Sequence, residues 1–197
     1  MEFAIMKTWK HRDKISEDPE FWEALFDPES DALHVAQIEP VEIDEMQRNL
    51  SEQQGNAVIV KIQGAESQTK VGFFNAVATA LKFPNYFGGN WNSFDECITD
   101  LRWNEGNAYL LIVDRAELLL GEEDSRSFEI FLSIAIAACE EWKERRSETA
   151  AGEEQPIPFH VLLAYSKAAE TAFAQKLTQA MNRIKRSSSA SIANSAH

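Results

Sequence analysis

The sequence predicts a small α/β fold with a three-stranded parallel sheet flanked by helices. Three apolar runs that are too short for helices alternate with segments of helical periodicity, in the order strand, helix, helix, strand, helix, strand. Continuous apolar strands separated by helices are typical of a parallel sheet that is covered on both faces. We therefore expect right-handed crossovers within a core that spans residues 57–164.

The first predicted strand and helix lie directly one after the other. Ala57 to Ile62 is rich in β-branched residues and is followed by Gly64, which favours a buried strand. Ser67 is placed to cap the next helix, and Pro84 marks its exit. Four apolar residues share one face of that helix: Val71, Phe74, Ala78 and Leu81.

The rest of the core follows from the same two periodicities. A second helix is predicted over about 90–101 and a third over about 124–146. Further strands are predicted at 108–113 and 159–163, and the polar segment 148–158 with its two prolines is predicted to be a loop.

The flanks are predicted to be extensions of this core. We expect residues 1–55 to pack on it as an N-terminal extension rather than an independent domain. Residues 56–165 would form the domain itself, and residues 166–197 an amphipathic helix with a mobile tail from Ser187.

Smaller signals mark the elements of these flanks. Asp18 and Pro19 are predicted to be the N-cap and first residue of a helix. Residues 34–38 are predicted to form a strand at a sheet edge, and Ser166 is placed to cap the last helix.

Charge and cysteine usage restrict the class of partner and the compartment. The net charge is −13, and residues 166–197 carry +4, so the rest of the chain carries −17. Such a body repels phosphate backbones and attracts basic surfaces, although solubility alone would also explain it. Cys97 and Cys139 form no CxxC pair and suggest buried free thiols in a reducing compartment. Without a secretion signal or a bilayer-spanning run, we expect a cytoplasmic protein with no membrane partner.

The helix over 90–101 is amphipathic, with acids on its outer side. Its apolar stripe is Trp91, Phe94, Ile98 and Leu101, and its opposite stripe is Asn92, Asp95, Glu96 and Thr99. Asn90 can cap the first turn, and early acids are favoured by the helix dipole. The acids could therefore serve capping and solubility alone.

The loop before this helix favours a binding surface. Gly88 and Gly89 permit backbone angles and close approaches that other residues do not. Tyr86 and Phe87 occupy positions where polar turn residues are usual, and exposed aromatic residues are typical interface anchors. We expect Phe87 to point inward and Tyr86 outward.

These residues resemble the signature of the barstar family of ribonuclease inhibitors. The chain has Pro-Asn-Tyr-Phe-Gly-Gly-Asn-Trp-Asn at residues 84–92, then Phe94 and Cys97-Ile98. The family pattern is Pro, any residue, Tyr, aromatic, Gly, any residue, Asn, then an acid-bearing helix containing a Cys. The order of strands and helices over 57–164 is also similar to the family fold.

The resemblance implies a bacterial immunity protein that binds the active site of a basic ribonuclease one-to-one, without a cofactor. Tyr86 and Gly88 match contact positions of the family. Asn92 stands where the family commonly has a contacting Asp, and Glu96 matches the central acidic contact. Asp95 stands where the founding member has an aromatic contact. This partner-binding set departs from the family pattern in charge and in side-chain length, which leaves the identity of the nuclease open.

Other functions have less support in the sequence. A protein-interaction domain without nuclease inhibition is the alternative, because the family's further acidic contact has no counterpart in the apolar stretch Ile130 to Ala135. An enzyme is disfavoured, since Asp95 and Glu96 point in different directions and form a poor acid–base pair. The four histidines, His11, His34, His160 and His197, lack the spacing of metal ligands. We expect His160 to be a core histidine, and the basic C-terminal helix to pack on the core rather than bind nucleic acid directly.

Overall fold

A computed structural model of the protein describes residues 6–9, 18–31, 33–148 and 154–194. The strands are β1 (Met6–Trp9), β2 (Leu33–Gln37), β3 (Ala57–Gln63), β4 (Ala108–Asp114), β5 (Arg146–Glu148), β6 (Glu154–Pro156) and β7 (Phe159–Tyr165). The helices are α1 (Pro19–Ala24), α2 (Pro40–Gln53), α3 (Lys70–Ala80), α4 (Trp91–Asp100), α5 (Ser125–Lys143) and α6 (Glu170–Asn194), with a 3-10 turn over Lys167–Ala169.

The main sheet is parallel and has helices on both sides, as predicted. Its order is β1-β2-β7-β4-β3, so the three predicted strands lie side by side and two N-terminal strands extend them to five. The predicted edge strand is in fact internal, because β2 pairs with the otherwise open edge of β7 and β1 then covers β2.

Side chains that alternate along the strands separate two hydrophobic cores. On β4, Tyr109, Leu111 and Val113 face one layer, which α3, α4, α5 and α6 complete. Leu110 and Ile112 face the other layer, which α1 and α2 complete. Because β4 and β7 are buried along their whole length, their sequences show continuous apolar runs rather than alternation.

The cap of α3 was predicted at the wrong hydroxyl. The side chain of Thr69, rather than Ser67, accepts a hydrogen bond from the backbone N–H of Gly72 at 3.1 Å. Ser67 lies two residues earlier in a buried turn, where its backbone carbonyl accepts from the N–H of Leu120 at 2.8 Å. Its own hydroxyl has no hydrogen-bond partner within the described ranges.

The flanking elements agree only partly with expectation. Asp18 caps α1, with Pro19 at its first position, as predicted. Ser166 makes no side-chain cap bond and instead donates to Glu117 Oε1 at 3.2 Å. The helix α6 continues to Asn194, well past the predicted start of the tail, because Ser and Ala are compatible with helix there.

Part of the predicted loop after α5 is a small hairpin. The strands β5 and β6 pair in antiparallel fashion, while residues 149–153 between them lie outside the described residues, as do His11 and His197. No helix in the described ranges combines the length and apolar character needed to cross a bilayer. The division of the chain at residues 55 and 165 stays a prediction.

Candidate functional site

The helix α4 begins at a complete capping box. Asn90 Oδ1 accepts a hydrogen bond from the Ser93 N–H at 3.1 Å, and the Asn90 N–H donates to Ser93 Oγ at 3.2 Å. These two bonds satisfy N–H groups that a helix start would otherwise leave without partners. The first turn of α4 is therefore held in a single arrangement against the loop before it.

Two glycines let this loop meet α4 closely. A Cβ on Gly88 would lie 2.9 Å from Asn90 Nδ2, which itself donates to the Gly88 carbonyl at 3.3 Å. Gly89 has a φ of +62°, in the left-handed region that favours glycine. A larger residue at Gly88 would press on the Asn90 side chain that caps α4, and one at Gly89 would strain the backbone.

Aromatic rings anchor the loop, as expected for Phe87. Phe87 is partly buried, and its ring lies 4.9 Å from Phe83 and 6.1 Å from Phe74 between centroids. Tyr86 is 71% exposed, and its ring centroid lies 6.4 Å from that of Trp103 with the two rings nearly perpendicular. The prediction that these two neighbours point in opposite directions is confirmed.

The outer stripe of α4 is exposed except at the half-buried Thr99, while Phe94, Cys97 and Ile98 are buried beneath it. Asp95 and Glu96 form no ion pair with any described residue. Burial first, and then the charges of Glu141 and Glu96, raise the pKa of Asp95. Negative charges therefore oppose one another at this surface, and a cation placed against it would relieve that repulsion.

The C-terminal end of α4 is fixed by three indole and guanidinium contacts. Trp142 Nε1 on α5 donates to the Ile98 carbonyl at 3.0 Å, and Arg145 lies over the Trp142 ring at 4.1 Å. The helix α4 ends at its C-cap Leu101, whose φ is 46°. Beyond it, Trp103 Nε1 donates to the Leu81 carbonyl at 3.1 Å. The segment after α4 is thus joined to the segment that leads into the tyrosine loop.

A polar pair at this end was not predicted. The guanidinium of Arg102 donates to Asp100 Oδ1 from Nε at 2.6 Å and to Oδ2 from Nη2 at 3.0 Å. Arg102 is 85% exposed on its side chain, and Asp100 is 27% exposed. The sequence signal that could have predicted this pair is the placement of opposite charges two residues apart at the end of the predicted helix.

The helix α5 supplies an acid at a different place from the one considered in the sequence. In the stretch Ile130 to Ala135, Ser133 is the exposed polar residue, and no carboxylate occurs there. Glu141, farther along α5, is instead the acid whose charge acts on Asp95, and it also accepts a hydrogen bond from Arg145 at 2.9 Å.

The five predicted site residues lie on two adjoining segments. Tyr86 and Gly88 are exposed on the loop, and Asn92, Asp95 and Glu96 are exposed on α4. The loop runs alongside the helix, since Gly88 abuts its first turn and Tyr86 reaches Trp103 beyond its last. We define these five residues, with Asp100 and Arg102, as the acidic surface.

His34, His160 and both cysteines lie away from solvent. His34 and His160 are 0% and 2% exposed, and His34 Nε2 lies 2.9 Å from His160 Nδ1, so the prediction of a core histidine at 160 is confirmed. Cys97 and Cys139 are buried and free, as expected, and burial raises the pKa of both thiols. Among the described residues, no three His, Cys, Asp or Glu side chains are arranged to hold a metal ion.

Comparison with known proteins adds a family to this geometry. A family model described as Barstar (barnase inhibitor) matches residues 57–164, which is more than half of the chain. That range contains β3, α3, α4, β4, α5 and almost all of β7, and it includes the whole acidic surface. A search of the curated proteins gave no match.

Proposed function

The chain belongs to the barstar family, and on that basis we propose that it binds and blocks the active site of a basic ribonuclease. The complex would contain one copy of each protein. Tyr86, Gly88, Asn92, Asp95 and Glu96 would contact the enzyme, and this chain would perform no chemistry itself. Its two buried free thiols support a role inside a reducing cytoplasm, as an immunity protein would have.

The observation that supports this proposal is the pairing of unpartnered carboxylates with a rigid tyrosine loop. Asp95 and Glu96 are exposed without an ion pair in the described part of the chain, and Tyr86 is 71% exposed beside them. The Asn90 cap and the ring cluster around Phe87 hold this arrangement without help from a partner. Binding would then cost little ordering of the loop.

The chemistry of a ribonuclease cleft matches these groups. Such a cleft binds phosphates through cations, and carboxylates can take the place of phosphates with charge-assisted hydrogen bonds. The negative body of the chain would speed the encounter, less so at high salt. Asn92 can donate and accept hydrogen bonds but cannot neutralise a cation, so Glu96 would make the central contact.

An RNA-cleavage assay tests the proposal directly. A panel of small basic microbial ribonucleases, barnase among them, would be assayed with and without a molar excess of the chain. We expect stoichiometric inhibition of at least one enzyme, and inhibition that weakens as salt rises. If every enzyme in the panel cleaves RNA at an unchanged rate with about 10 μM chain, the proposal is wrong.

A pair of variants tests the assigned surface. Glu96→Ala should weaken inhibition by at least about thirtyfold, because it leaves a desolvated cation of the enzyme without its partner. Asp100→Ala should have a smaller effect, since that carboxylate is already paired with Arg102. Equal effects of the two substitutions would argue against Glu96 as the central contact.

The alternative is a protein-binding domain of the same fold that does not inhibit a nuclease. Asn92 in place of an acid, and the absence of a carboxylate in the stretch Ile130 to Ala135, favour it. Binding of a panel enzyme by calorimetry, with RNA cleavage unaffected, would support this alternative.

A further inference from the structure

We propose that Arg102 selects the partner by binding, through its free guanidinium edge, a carboxylate at the rim of the ribonuclease's cationic cleft. The inference rests on the proposed function and deepens it. It adds a requirement that the five contact residues do not impose, namely an acidic group on an otherwise basic enzyme.

The geometry of the guanidinium leaves one binding edge open. A guanidinium has two edges that can each take a carboxylate with two parallel hydrogen bonds. Asp100 occupies the edge formed by Nε and Nη2, at 2.6 and 3.0 Å. The edge formed by Nη1 and Nη2 has no acceptor in the described parts of the chain, and the side chain is 85% exposed.

The position of Arg102 places this edge beside the anchor of the acidic surface. The ring centroid of Trp103, the next residue, lies 6.4 Å from that of Tyr86, and its indole N–H donates to the Leu81 carbonyl. The hydrogen bond and charge of Asp100 raise the pKa of Arg102, and the charge of Tyr86 adds to that rise. A partner seated on Tyr86 would therefore meet Arg102.

Charge complementarity favours a carboxylate over another acceptor. A cation on a surface that attracts basic enzymes would repel a rim that is wholly cationic. A carboxylate would extend the ion pair to an Asp100–Arg102–carboxylate row and accept from both N–H groups of the open edge. A backbone carbonyl would leave that repulsion uncompensated.

The ion pair with Asp100 also prepares Arg102 for binding. A free arginine side chain loses considerable rotamer freedom when a partner fixes it. The two hydrogen bonds to Asp100 restrict the guanidinium before any contact, so less entropy remains to be lost. Asp100 is therefore a positioning residue for Arg102.

Substitution of Arg102 should change inhibition in the direction opposite to that expected from net charge alone. Arg102→Ala makes the chain more negative, which by itself would strengthen binding to a basic enzyme. We expect instead about tenfold weaker inhibition of the panel ribonuclease that the chain inhibits most strongly, through faster dissociation. Arg102→Lys should recover only part of the loss, because an ammonium cannot form the bidentate edge.

Arg126→Ala is the matched control. It removes the same charge from an exposed position at the opposite end of α5 from Trp142, so affinity should stay equal or rise slightly. The thermal midpoint of each variant would be measured in parallel, since Arg102 is exposed and should not affect folding. Affinity for Arg102→Ala equal to the parent's, or higher, would overturn the inference.

The same series separates this inference from the proposed function. If Glu96→Ala weakens inhibition and Arg102→Ala leaves it unchanged, the proposed function stands and only the requirement for a carboxylate on the enzyme is lost. No effect of Glu96→Ala, or inhibition of no enzyme in the panel, would remove the function and the role of Arg102 with it.

Discussion

The two faces of the sheet treat their polar groups in opposite ways. On the side of α3 to α6, Tyr86, Asp95 and Glu96 are exposed to solvent, and the fold does not use their polar groups. On the side of α1 and α2, His34 and His160 are buried and hydrogen-bonded to each other at 2.9 Å. The first face has polar groups free for another protein, and the second uses them internally. Substitutions of these exposed groups should change binding far more than stability, and substitutions of buried residues on the second face should change stability alone.

The largest effect is expected in the core beneath α2. Ile43 is fully buried there, and Ile43→Ala should reduce the free energy of unfolding by about 3 kcal/mol through a cavity. Val41→Ala, on the same helix but 78% exposed, should change it by less than about 0.5 kcal/mol. Urea denaturation would measure both. Weaker ribonuclease inhibition by folded Ile43→Ala protein would contradict the separation of the two faces.

The buried histidine pair should make stability depend on pH. Burial lowers the pKa of His160 from about 6.5 to about 4, while hydrogen bonding to the Asp31 carbonyl and the charge of Asp27 oppose that shift and Lys143 adds to it. Below pH 6.5 the unfolded chain takes up a proton that the folded protein excludes. The stability present above that pH is therefore lost as the pH falls towards 4.

Between pH 7.5 and 5.5 we expect a loss of about 1.4 kcal/mol from this residue. Denaturation at the two pH values would measure the loss, and an NMR titration of the His160 ring would assign it. A ring that titrates near 6.5 in the folded protein would contradict the prediction.

Tyr86 and Val71 allow a comparison within the layer of α3 to α6. They are equally exposed, at 71% and 70%, but Val71 lies at the start of α3, far along the chain from the acidic surface. Tyr86→Ala should weaken ribonuclease inhibition by at least about tenfold, as expected of an aromatic anchor. Val71→Ala should leave it unchanged, and neither should shift the thermal midpoint by more than about 2 °C. Equal losses of inhibition would mean that exposed apolar area in general, rather than the tyrosine, matters.

The smallest predicted effect concerns Asp95. Burial, together with Glu141 and Glu96, disfavours its charged form in the free protein, so Asp95→Asn should raise the thermal midpoint by about 1 °C at neutral pH. The same substitution should weaken inhibition, because a basic cleft gains from that charge. Calorimetry and the cleavage assay would measure the two changes, and a lower midpoint would show that the carboxylate stabilises the free fold.

Periodicity predicted most of the fold and both sides of α4. The three apolar runs became β3, β4 and β7, and the alternation of Phe94 and Ile98 with Asp95 and Glu96 gave the buried and exposed sides correctly. Such patterns are local, and each is repeated over a whole element. The Asn90 cap was predictable for the same reason, since its partner Ser93 is three residues away.

The features that were missed depend on residues far apart in the chain or on a choice between equivalent groups. Ser67 and Thr69 both carry hydroxyls, but Ser67 lies in the turn that is bonded to Leu120, and Thr69 directly precedes α3. No local pattern places β2 beside β7, or His34 against His160. The role of Asp100 and Arg102 depends on the loop that holds Tyr86, which contacts between Trp103, Tyr86 and Leu81 bring beside them.

The place of β2 has a consequence for how the chain is made. His34 and His160 are 126 positions apart, so β2 leaves the ribosome long before the strand that will hold it. The central strand β7 is the last of the five strands of the sheet to be synthesised, and the sheet can close only then. Closing so long a loop is slow, so the edge of β2 that β7 covers stays open until β7 has been made, and open strand edges of this kind are prone to aggregation.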